Sequence, residues 1–330
     1  MIHIGYHASH EQFRPSELLD YVQRAEQAGF TAAMCSDHFF PWSESQGQSG
    51  FTWSWLGAAL QATGLSFGTV NAPGQRYHPA IIAQAAATLA EMYPGRFWLA
   101  VGSGEWVNEH ITGERWPTKA ERNQRLQESV AVMRALWAGE TVTHRGLIEV
   151  EEARLYTRPA EAPMVVGAAV TAPTAAWVAG WADALITVNR PPDQLAEVVQ
   201  SFREGGGEVK PMFLQVHVAW APDDAIARQE AYEQWRTNVF DSTLLADLKL
   251  PEQFEAAAKM VRPEDLDSHV LIASDPARYI EWLQAYLDLG FSRLYIHNVT
   301  HRQPAFIEMF GERVLPALLT AERRPDTVQR

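Results

Sequence analysis

Cysteine is almost absent from this 330-residue chain, which contains Cys35 alone. A single cysteine cannot form an intrachain disulfide, and the sequence lacks the CxxC motif that is typical of zinc sites and dithiol redox centres. Cys35 lies in the apolar run Thr31–Ser36, and free cysteine is among the residue types most often buried. We therefore expect Cys35 to be a core residue rather than a nucleophile.

The chain also lacks long apolar runs and basic clusters. No apolar stretch approaches the roughly 20 residues that a membrane-spanning helix needs, and the N-terminus lacks the basic and apolar regions of a signal peptide. The net charge is −13, and no run of lysine or arginine forms the basic face of a nucleic-acid binder. We expect a cytoplasmic protein whose partner is a small molecule rather than a nucleic acid or a membrane.

Short apolar runs instead alternate with longer amphipathic segments along the whole chain. Continuous strand-helix alternation indicates a parallel sheet, and about eight strands indicate a closed (β/α)₈ barrel, a TIM barrel, formed by residues 1–330 as one domain. The predicted strands are Ile2–His7, Thr31–Ser36, Leu65–Val70, Arg96–Val101, Met164–Gly167, Ala184–Val188, Met212–Val218 and Leu294–His297. The predicted helices are Pro15–Gly29, Phe51–Ala62, Pro79–Met92, Thr118–Trp137, Ala172–Gly180, Pro192–Arg203, Pro276–Leu289 and Pro304–Leu319, with a hairpin at Thr141–Glu149.

One charged segment, Ala221–Ser268, interrupts this alternation between the seventh and eighth predicted strands. Its composition favours helices, so we interpret it as a helical insertion near the seventh strand. Long insertions in barrels often cover the mouth, but they also occur as surface appendages. The sequence leaves both interpretations open, and we expect the insertion to cover the barrel mouth.

The active site of a TIM barrel lies at the C-terminal ends of its strands. This rule selects the segments His7–Ser9, Ser36–Trp42, Asn71–Pro73, Gly102–Glu109 and Asn189–Arg190, of which the second is the most informative. The second strand is followed by Asp37, His38 and Trp42, and a histidine next to a carboxylate is a common general base. The alternative is that Asp37 caps a turn around a structural histidine. The indole of Trp42 offers a flat face to a ring or a cation.

The fourth strand is followed by Gly102-Ser103-Gly104-Glu105, where the glycines allow a ligand to approach the backbone closely. Glu105 is a candidate acid, the alternative being a solvated glutamate in a tight turn. We predict no metal site: His3 and His7 share a strand face, but no set of three clustered ligands emerges.

Three segments together resemble the luciferase-like flavin superfamily, and most closely its F420-dependent glucose-6-phosphate dehydrogenase branch. They are Ser36–Trp42, Arg76–Ala85 and Gly102–Glu109, and Ala273–Pro276 fits the same branch. The resemblance extends from about residue 2 to about residue 318. It implies a TIM barrel of the bacterial-luciferase type, a flavin or deazaflavin cofactor and a homodimer.

The resemblance also implies roles for individual residues. His38 would be the base that removes a hydroxyl proton, Trp42 would stabilise the developing charge, and Glu105 would be the acid that serves the cofactor ring. A bulge at Val70 and Asn71, which in that branch often contains a non-prolyl cis peptide, would line the cofactor. The other residues implied to bind the cofactor are Asp37, Asn108, Gly167, Ala168 and Ala169.

The chain departs from that branch at two places. Ala168 and Ala169 replace a glycine pair that cradles the cofactor tail, which leaves both FMN and F420 open as the cofactor. Ala256 replaces one lysine that grips the sugar phosphate, whereas Arg190 would serve for another and would bind substrate. Losing a cationic partner of a buried phosphate costs several kcal/mol, so we expect a substrate other than glucose 6-phosphate.

Three functions follow from these residues. The leading interpretation is an oxidoreductase that transfers a hydride between F420 or FMN and a small organic substrate. The alternatives are an FMN-dependent monooxygenase of the luciferase-like type, and a barrel that binds flavin without catalysis.

Overall fold

The computed structural model describes residues 2–321, and its centre is a closed barrel of eight parallel strands. Each strand pairs with the next in chain order, and the last pairs back with the first at Tyr6 and Ile296. The predicted TIM barrel is therefore confirmed. The barrel strands are β1 (His3–Ala8), β2 (Ala32–Ser36), β3 (Ser66–Asn71), β4 (Phe97–Val101), β5 (Met164–Ala168), β6 (Ala184–Val188), β7 (Met212–Ala219) and β8 (Arg293–Asn298).

Helices surround the barrel, and most begin and end within a few residues of the predicted bounds. They are α1 (Pro15–Gln27), α2 (Thr52–Ala62), α3 (Pro79–Met92), α4 (Trp106–Glu109), α5 (Lys119–Ala138), α6 (Ala172–Ala179), α7 (Pro192–Phe202), α8 (Asp224–Trp235), α9 (Ser242–Asp247), α10 (Pro251–Ala257), α11 (Pro276–Asp288), α12 (Gln303–Arg313) and α13 (Leu315–Ala321). Short 3₁₀ or π-helical segments lie at His110–Thr112, Arg203–Gly207, Arg236–Asn238, Ala258–Met260 and Pro263–Ser268.

Two predicted elements were wrong in their extent. The single helix expected over Pro304–Leu319 is two helices, α12 and α13, which meet at Val314. Pro316 follows this junction, and a proline cannot continue the hydrogen-bond ladder of a preceding helix. The hairpin is longer than expected, because its antiparallel strands are Val142–Arg145 and Glu149–Ala153. A two-residue strand, Leu271–Ile272, also pairs with β7.

The barrel lumen is filled by side chains from alternating strand positions, including Trp98, Phe213 and Tyr295. Glycines make room for two of these rings. A Cβ atom at Gly68 would overlap the indole of Trp98, and one at Gly5 would overlap the ring of Tyr295. The lumen is therefore a packed core below the mouth, and ligands have access only at its ends.

A larger core lies between the strands and the surrounding helices. Cys35 belongs to it and is fully buried, with its Sγ atom 3.7 Å from Gly68 O. Burial raises the pKa of the Cys35 thiol well above its usual value. The interpretation of Cys35 as a core residue is confirmed.

Candidate active site

His38 lies in the loop that leaves β2, with its Nε2 atom between two carboxylates. This nitrogen is 3.6 Å from Glu11 Oε1 and 3.6 Å from Glu105 Oε2. The other ring nitrogen, Nδ1, is 3.3 Å from Phe40 O and 3.3 Å from Asn108 Nδ2. In the tautomer that donates its Nδ1 hydrogen to Phe40 O, Nε2 carries the lone pair with which a general base accepts a proton, and the two carboxylates stabilise the imidazolium that results.

Glu11 is a candidate site residue that the sequence analysis missed, although it closely follows β1. Its side chain is 5% exposed, and its Oε2 atom accepts hydrogen bonds from Ser9 Oγ (3.0 Å) and Ser36 Oγ (2.5 Å). Burial alone would raise the pKa of Glu11, but His38 and the Ser36 hydroxyl outweigh it and hold the pKa below its usual value. Glu11 is therefore an ionised partner for the imidazole.

Glu105 differs from Glu11 in its electrostatics. It precedes the short helix α4, and its side chain is 36% exposed. Partial removal of its carboxylate from water raises its pKa, although His38 opposes the shift. Asn108 Nδ2 lies 3.5 Å from Glu105 Oε2, and Asn108 Oδ1 accepts a 2.8 Å hydrogen bond from Phe39 N. One amide thereby fixes the loop after β2 relative to the loop after β4.

Trp42 adjoins the imidazole and connects it to the insertion. Its ring centroid is 4.9 Å from that of His38, at an interplanar angle of 53°. The ring of Phe254, from α10 of the insertion, packs edge-on against Trp42 at 5.4 Å. The structure thus brings the predicted catalytic residues His38, Trp42 and Glu105 together at one end of the barrel.

A buried polar network supports this loop from below. Asp37 accepts hydrogen bonds from Asn71 Nδ2 (2.7 Å) and Tyr77 Oη (3.1 Å), and its backbone oxygen accepts one from Arg76 (2.8 Å). The amide nitrogen of Arg76 donates to Glu109 Oε2 at 2.7 Å. Burial raises the pKa of Glu109 to about 7, against the opposing effect of Arg76.

The bulge expected at Val70 and Asn71 was wrong. Both residues continue β3 in regular register, Val70 opposite Ser36 and Asn71 opposite Val101. Asn71 O accepts a 2.9 Å hydrogen bond from Gly102 N, which extends the ladder rather than breaking it. Within the described chain, every peptide bond is trans.

The residues at the end of β5 do not all face the same way. Ala168 packs with the residues of the lumen, and a Cβ atom at Gly102 would be 3.7 Å from its side chain. A Cβ atom at Gly167 would instead be 2.7 Å from Val178 in the outer helices. Ala169 N donates to the β6 backbone. Of these three residues, the side chain of Ala168 is the one directed toward the mouth.

Arg190 lies apart from His38 in the contacts that the structure records. Its charge acts on His269 and on Asp241, which lie in or beside the insertion. The pKa of His269 is lowered mainly by burial, and that of Asp241 mainly by backbone hydrogen bonds. The positive charge of Arg190 lowers both pKa values further. Ala256, where the resemblance implied a lost lysine, is exposed on α10. Its position on this helix is two residues beyond Phe254.

The insertion contacts the mouth through more than one residue. Gln234 Oε1 accepts a 3.1 Å hydrogen bond from Gln12, and Gln234 O accepts one from Gln46 at 3.1 Å. The Trp235 ring lies 4.8 Å from that of His297 on β8. Helices α8 and α10 therefore both pack on segments that follow barrel strands.

Comparisons with known proteins assign the chain to a family. A sequence profile of the family described as luciferase-like monooxygenase matches residues 1–293. The chain belongs to this family. It is therefore an oxidoreductase of the luciferase-like class, as the sequence analysis predicted.

Individual relatives are similar to this luciferase-like protein over nearly their full length. The F420-dependent glucose-6-phosphate dehydrogenase of Beutenbergia cavernae is 35% identical, covering 98% of this chain and 99% of the relative. The one from Microbacterium testaceum is 36% identical and covers 96% and 97%. A solved F420-dependent secondary alcohol dehydrogenase, in complex with an F420-acetone adduct, matches with a TM-score of 0.88 and 30% identity over 96% of this chain and 99% of that one.

Two further observations concern sites and membranes. Among residues 2–321, no group of three histidine, cysteine or acidic side chains is arranged to hold a metal ion. In the same range, every helix is too short or too polar to cross a bilayer.

Proposed function

We propose that this chain is an F420-dependent dehydrogenase that oxidises a small organic alcohol by removing a hydride from the hydroxyl-bearing carbon. The observation that carries the proposal is the position of His38 Nε2, 3.6 Å from each of two carboxylates with different proton affinities. F420, when bound, supplies the hydride acceptor. The names of the relatives support this cofactor over FMN.

Proton movement in the proposed reaction is handled by His38. Its Nε2 takes the proton of the substrate hydroxyl as the hydride leaves the carbon that bears this hydroxyl. The alcohol thereby becomes a carbonyl compound. The resulting imidazolium is stabilised by ionised Glu11 and by the adjacent face of Trp42. Glu105, whose pKa is raised by burial, is suited to hold and deliver a proton on the other side of the imidazole.

The residues at the mouth fit a flat ring with an anionic tail. Asn71 Oδ1 is buried with no hydrogen-bond partner in the described part of the chain, and Gly102 and Ala168 leave the mouth free of large side chains beside β4 and β5.

We propose that Asp37, Val70, Asn71, Asn108 and Ala168 hold the ring, with the backbone of Gly167 and Ala169 beside it. Lys119 Nζ lies 2.7 Å from Ser103 Oγ, where it would neutralise an anionic group of the tail.

The insertion, by this proposal, covers the reaction site. Phe254 packs on Trp42, and Trp235 packs over the strand ends on the other side of the mouth. Apolar rings in these positions would exclude water from the transferring hydride. Arg190 borders the insertion, so its predicted role in substrate binding depends on a substrate that extends toward this side.

The test combines cofactor binding with turnover. We expect purified protein to bind F420 more tightly than FMN by fluorescence titration, and the loaded enzyme to reduce F420 with secondary alcohols. His38→Asn should lower kcat by about 10²–10⁴-fold while changing the F420 dissociation constant less than about threefold. Glu44→Gln, at an exposed position of the same loop, is the matched control and should retain full activity.

Each other outcome points to a different function. Preferential binding of FMN, with oxygen uptake coupled to an oxygenated product, would establish a monooxygenase instead. Tight F420 binding without turnover of any alcohol would indicate a carrier. Unchanged kcat in His38→Asn would remove His38 from the reaction. The predicted homodimer can be checked on the same samples by light scattering.

A further inference from the structure

Three histidines on neighbouring strands line the mouth on the side away from β3 and β4. We call His7 of β1, His217 of β7 and His297 of β8 the imidazole floor. Side chains alternate between the two faces of a strand, and Tyr295, two residues before His297, lies in the lumen. His297 therefore points to the lumen one layer above Tyr295. The ring of His7 stacks directly on the ring of His297.

The members of the imidazole floor are packed against one another. The rings of His7 and His297 are parallel, with centroids 4.3 Å apart, and His217 lies 5.5 Å from His297. Gln215 Nε2 lies 3.2 Å from His217 Nε2 and 3.4 Å from His297 Nδ1, and Gln12 Oε1 lies 2.8 Å from His297 Nε2. His217 and His297 thus have hydrogen-bond partners within the protein.

His7 is different, because neither of its ring nitrogens has a hydrogen-bond partner among residues 2–321. The residue is 4% exposed, so bulk water does not satisfy these nitrogens. A buried polar group without a partner destabilises the fold, and native proteins rarely leave such groups unsatisfied without a reason. A bound molecule at the mouth would satisfy them.

His7 is also close to the reacting groups. Glu11 is the carboxylate that contacts His38 Nε2, and both His38 and His7 favour its ionised form. The two imidazoles therefore act on one carboxylate, from the loop after β2 and from the end of β1.

We propose that His7 binds a second, uncharged oxygen of the substrate, next to the hydroxyl that is oxidised at His38. This inference rests on the proposed function and names its substrate class, a neutral vicinal diol or polyol. A neutral imidazole offers one N–H donor and one nitrogen acceptor, which matches a hydroxyl group. The imidazole floor supplies no cation to pair with a phosphate, because burial keeps its members neutral and lowers the pKa of His7 to about 4.

The test compares substrates that differ in one hydroxyl. For the F420-loaded enzyme, we expect kcat/KM to be at least tenfold higher for propane-1,2-diol than for propan-2-ol. His7→Phe should raise KM for the diol about 10- to 100-fold, with kcat changed less than about threefold, and leave propan-2-ol nearly unaffected. His7→Gln, whose amide can donate and accept, should retain most of the preference. Glycerol should be preferred to glycerol 3-phosphate.

A matched control is available at His10, another buried histidine whose two ring nitrogens also lack a hydrogen-bond partner among residues 2–321. Its ring packs edge-on against Trp55 of α2, outside the barrel, at 4.9 Å. His10→Phe should leave the preference for the diol unchanged. Equal loss of activity toward both alcohols in His7→Phe, or a preference for glycerol 3-phosphate in the wild type, would overturn the proposal.

A second measurement, on the wild-type protein, does not depend on turnover. The imidazole ¹⁵N resonances of His7, assigned by their loss in His7→Gln, should shift with propane-1,2-diol and not with propan-2-ol. No shift with either alcohol overturns the role of His7. A shift with the diol in a protein that oxidises no alcohol supports the binding site and rejects the proposed dehydrogenase.

Discussion

The two sides of the barrel mouth bury their polar groups in different electrostatic states. On the β2–β4 side, the side chains of Asp37, Arg76 and Glu109 are buried and joined by hydrogen bonds and ion pairs. On the side of β7, β8 and β1, the imidazole floor is buried as neutral rings that stack. Charges are tolerated in a protein interior where partners surround them, and elsewhere titratable groups become neutral.

This comparison suggests that the two sides of the mouth have different roles in the proposed reaction. The charged side surrounds His38, the group to which we assign proton transfer. The neutral side surrounds positions where we propose that a substrate oxygen is bound without a change of charge. Substitutions on the two sides should therefore differ in size and in the direction of their pH dependence.

The largest effect is expected from removing the cation of the charged side. Arg76 lies 3.6 Å from both Asp37 Oδ1 and Glu109 Oε1, and its side chain is 6% exposed. Arg76→Met leaves two buried acids without their cation and should lower the free energy of unfolding by about 3–5 kcal/mol. Urea denaturation at pH 7 measures this loss.

The matched control for Arg76 is an exposed ion pair of the hairpin. Arg145 lies 3.2 Å from Glu151, with 53% and 75% of the two side chains exposed. Arg145→Met should change the unfolding free energy by less than about 0.5 kcal/mol, because solvent screens such pairs. Similar losses in both variants would mean that the buried network contributes no more than a surface pair.

The second largest effect is a fall in the free energy of unfolding as the pH rises from 4.5 to 8. Burial raises the pKa of Glu109 to about 7, above its usual value near 4.5, so its ionisation is less favourable in the folded state. Its contribution to stability is complete below pH 4.5 and is lost as the pH rises through 7. By pH 8, the wild type should lose about 3 kcal/mol relative to Glu109→Gln. Parallel stability curves from pH 4.5 to 8 would contradict the raised pKa.

The stability contributed by the neutral side should fall with decreasing pH instead of increasing pH. The loss should be somewhat smaller over the pH range in which unfolding can be measured. Burial lowers the pKa of His217 to about 3, below its usual 6.5, so the folded state resists protonation. Stability is therefore complete above pH 6.5 and is lost as the pH falls. At pH 5 the wild type should have lost about 2 kcal/mol relative to His217→Gln, as measured by denaturation at pH 5 and 7.

Gln215 provides the control for that experiment. Gln215→Met removes the hydrogen bonds to His217 and His297 but no titrating group on the floor. This variant should be destabilised by a similar amount at pH 5 and at pH 7. If His217→Gln shows the same acid-dependent loss as the wild type, burial of this imidazole does not contribute to acid sensitivity.

The strands and the main catalytic candidates could be predicted from local sequence. Runs such as Phe97–Val101 are apolar because barrel strands are buried on both faces, and the residues after them must lie at the mouth. His38, Trp42 and Glu105 were found in this way. The junction of α12 and α13 was missed because apolar spacing continues through it, although Pro316 was a visible signal.

The remaining site residues could not be predicted, because their roles depend on contacts between distant strands. Glu11 has an unremarkable neighbourhood in sequence, and its function depends on Ser36 and His38. The imidazole floor joins the first strand to the last two. The cytoplasmic location and the homodimer stay predictions.

By itself, the sequence determined the alternation of buried strands and amphipathic helices, and hence a closed barrel with chemistry at one end. That information is local, because the period of hydrophobic residues reflects which faces are buried. Only the tertiary structure decided which polar groups became charged and which stayed neutral. Proton affinity in an interior depends on burial and on partners from other strands, and the closure of the barrel at β8 and β1 brings those partners together.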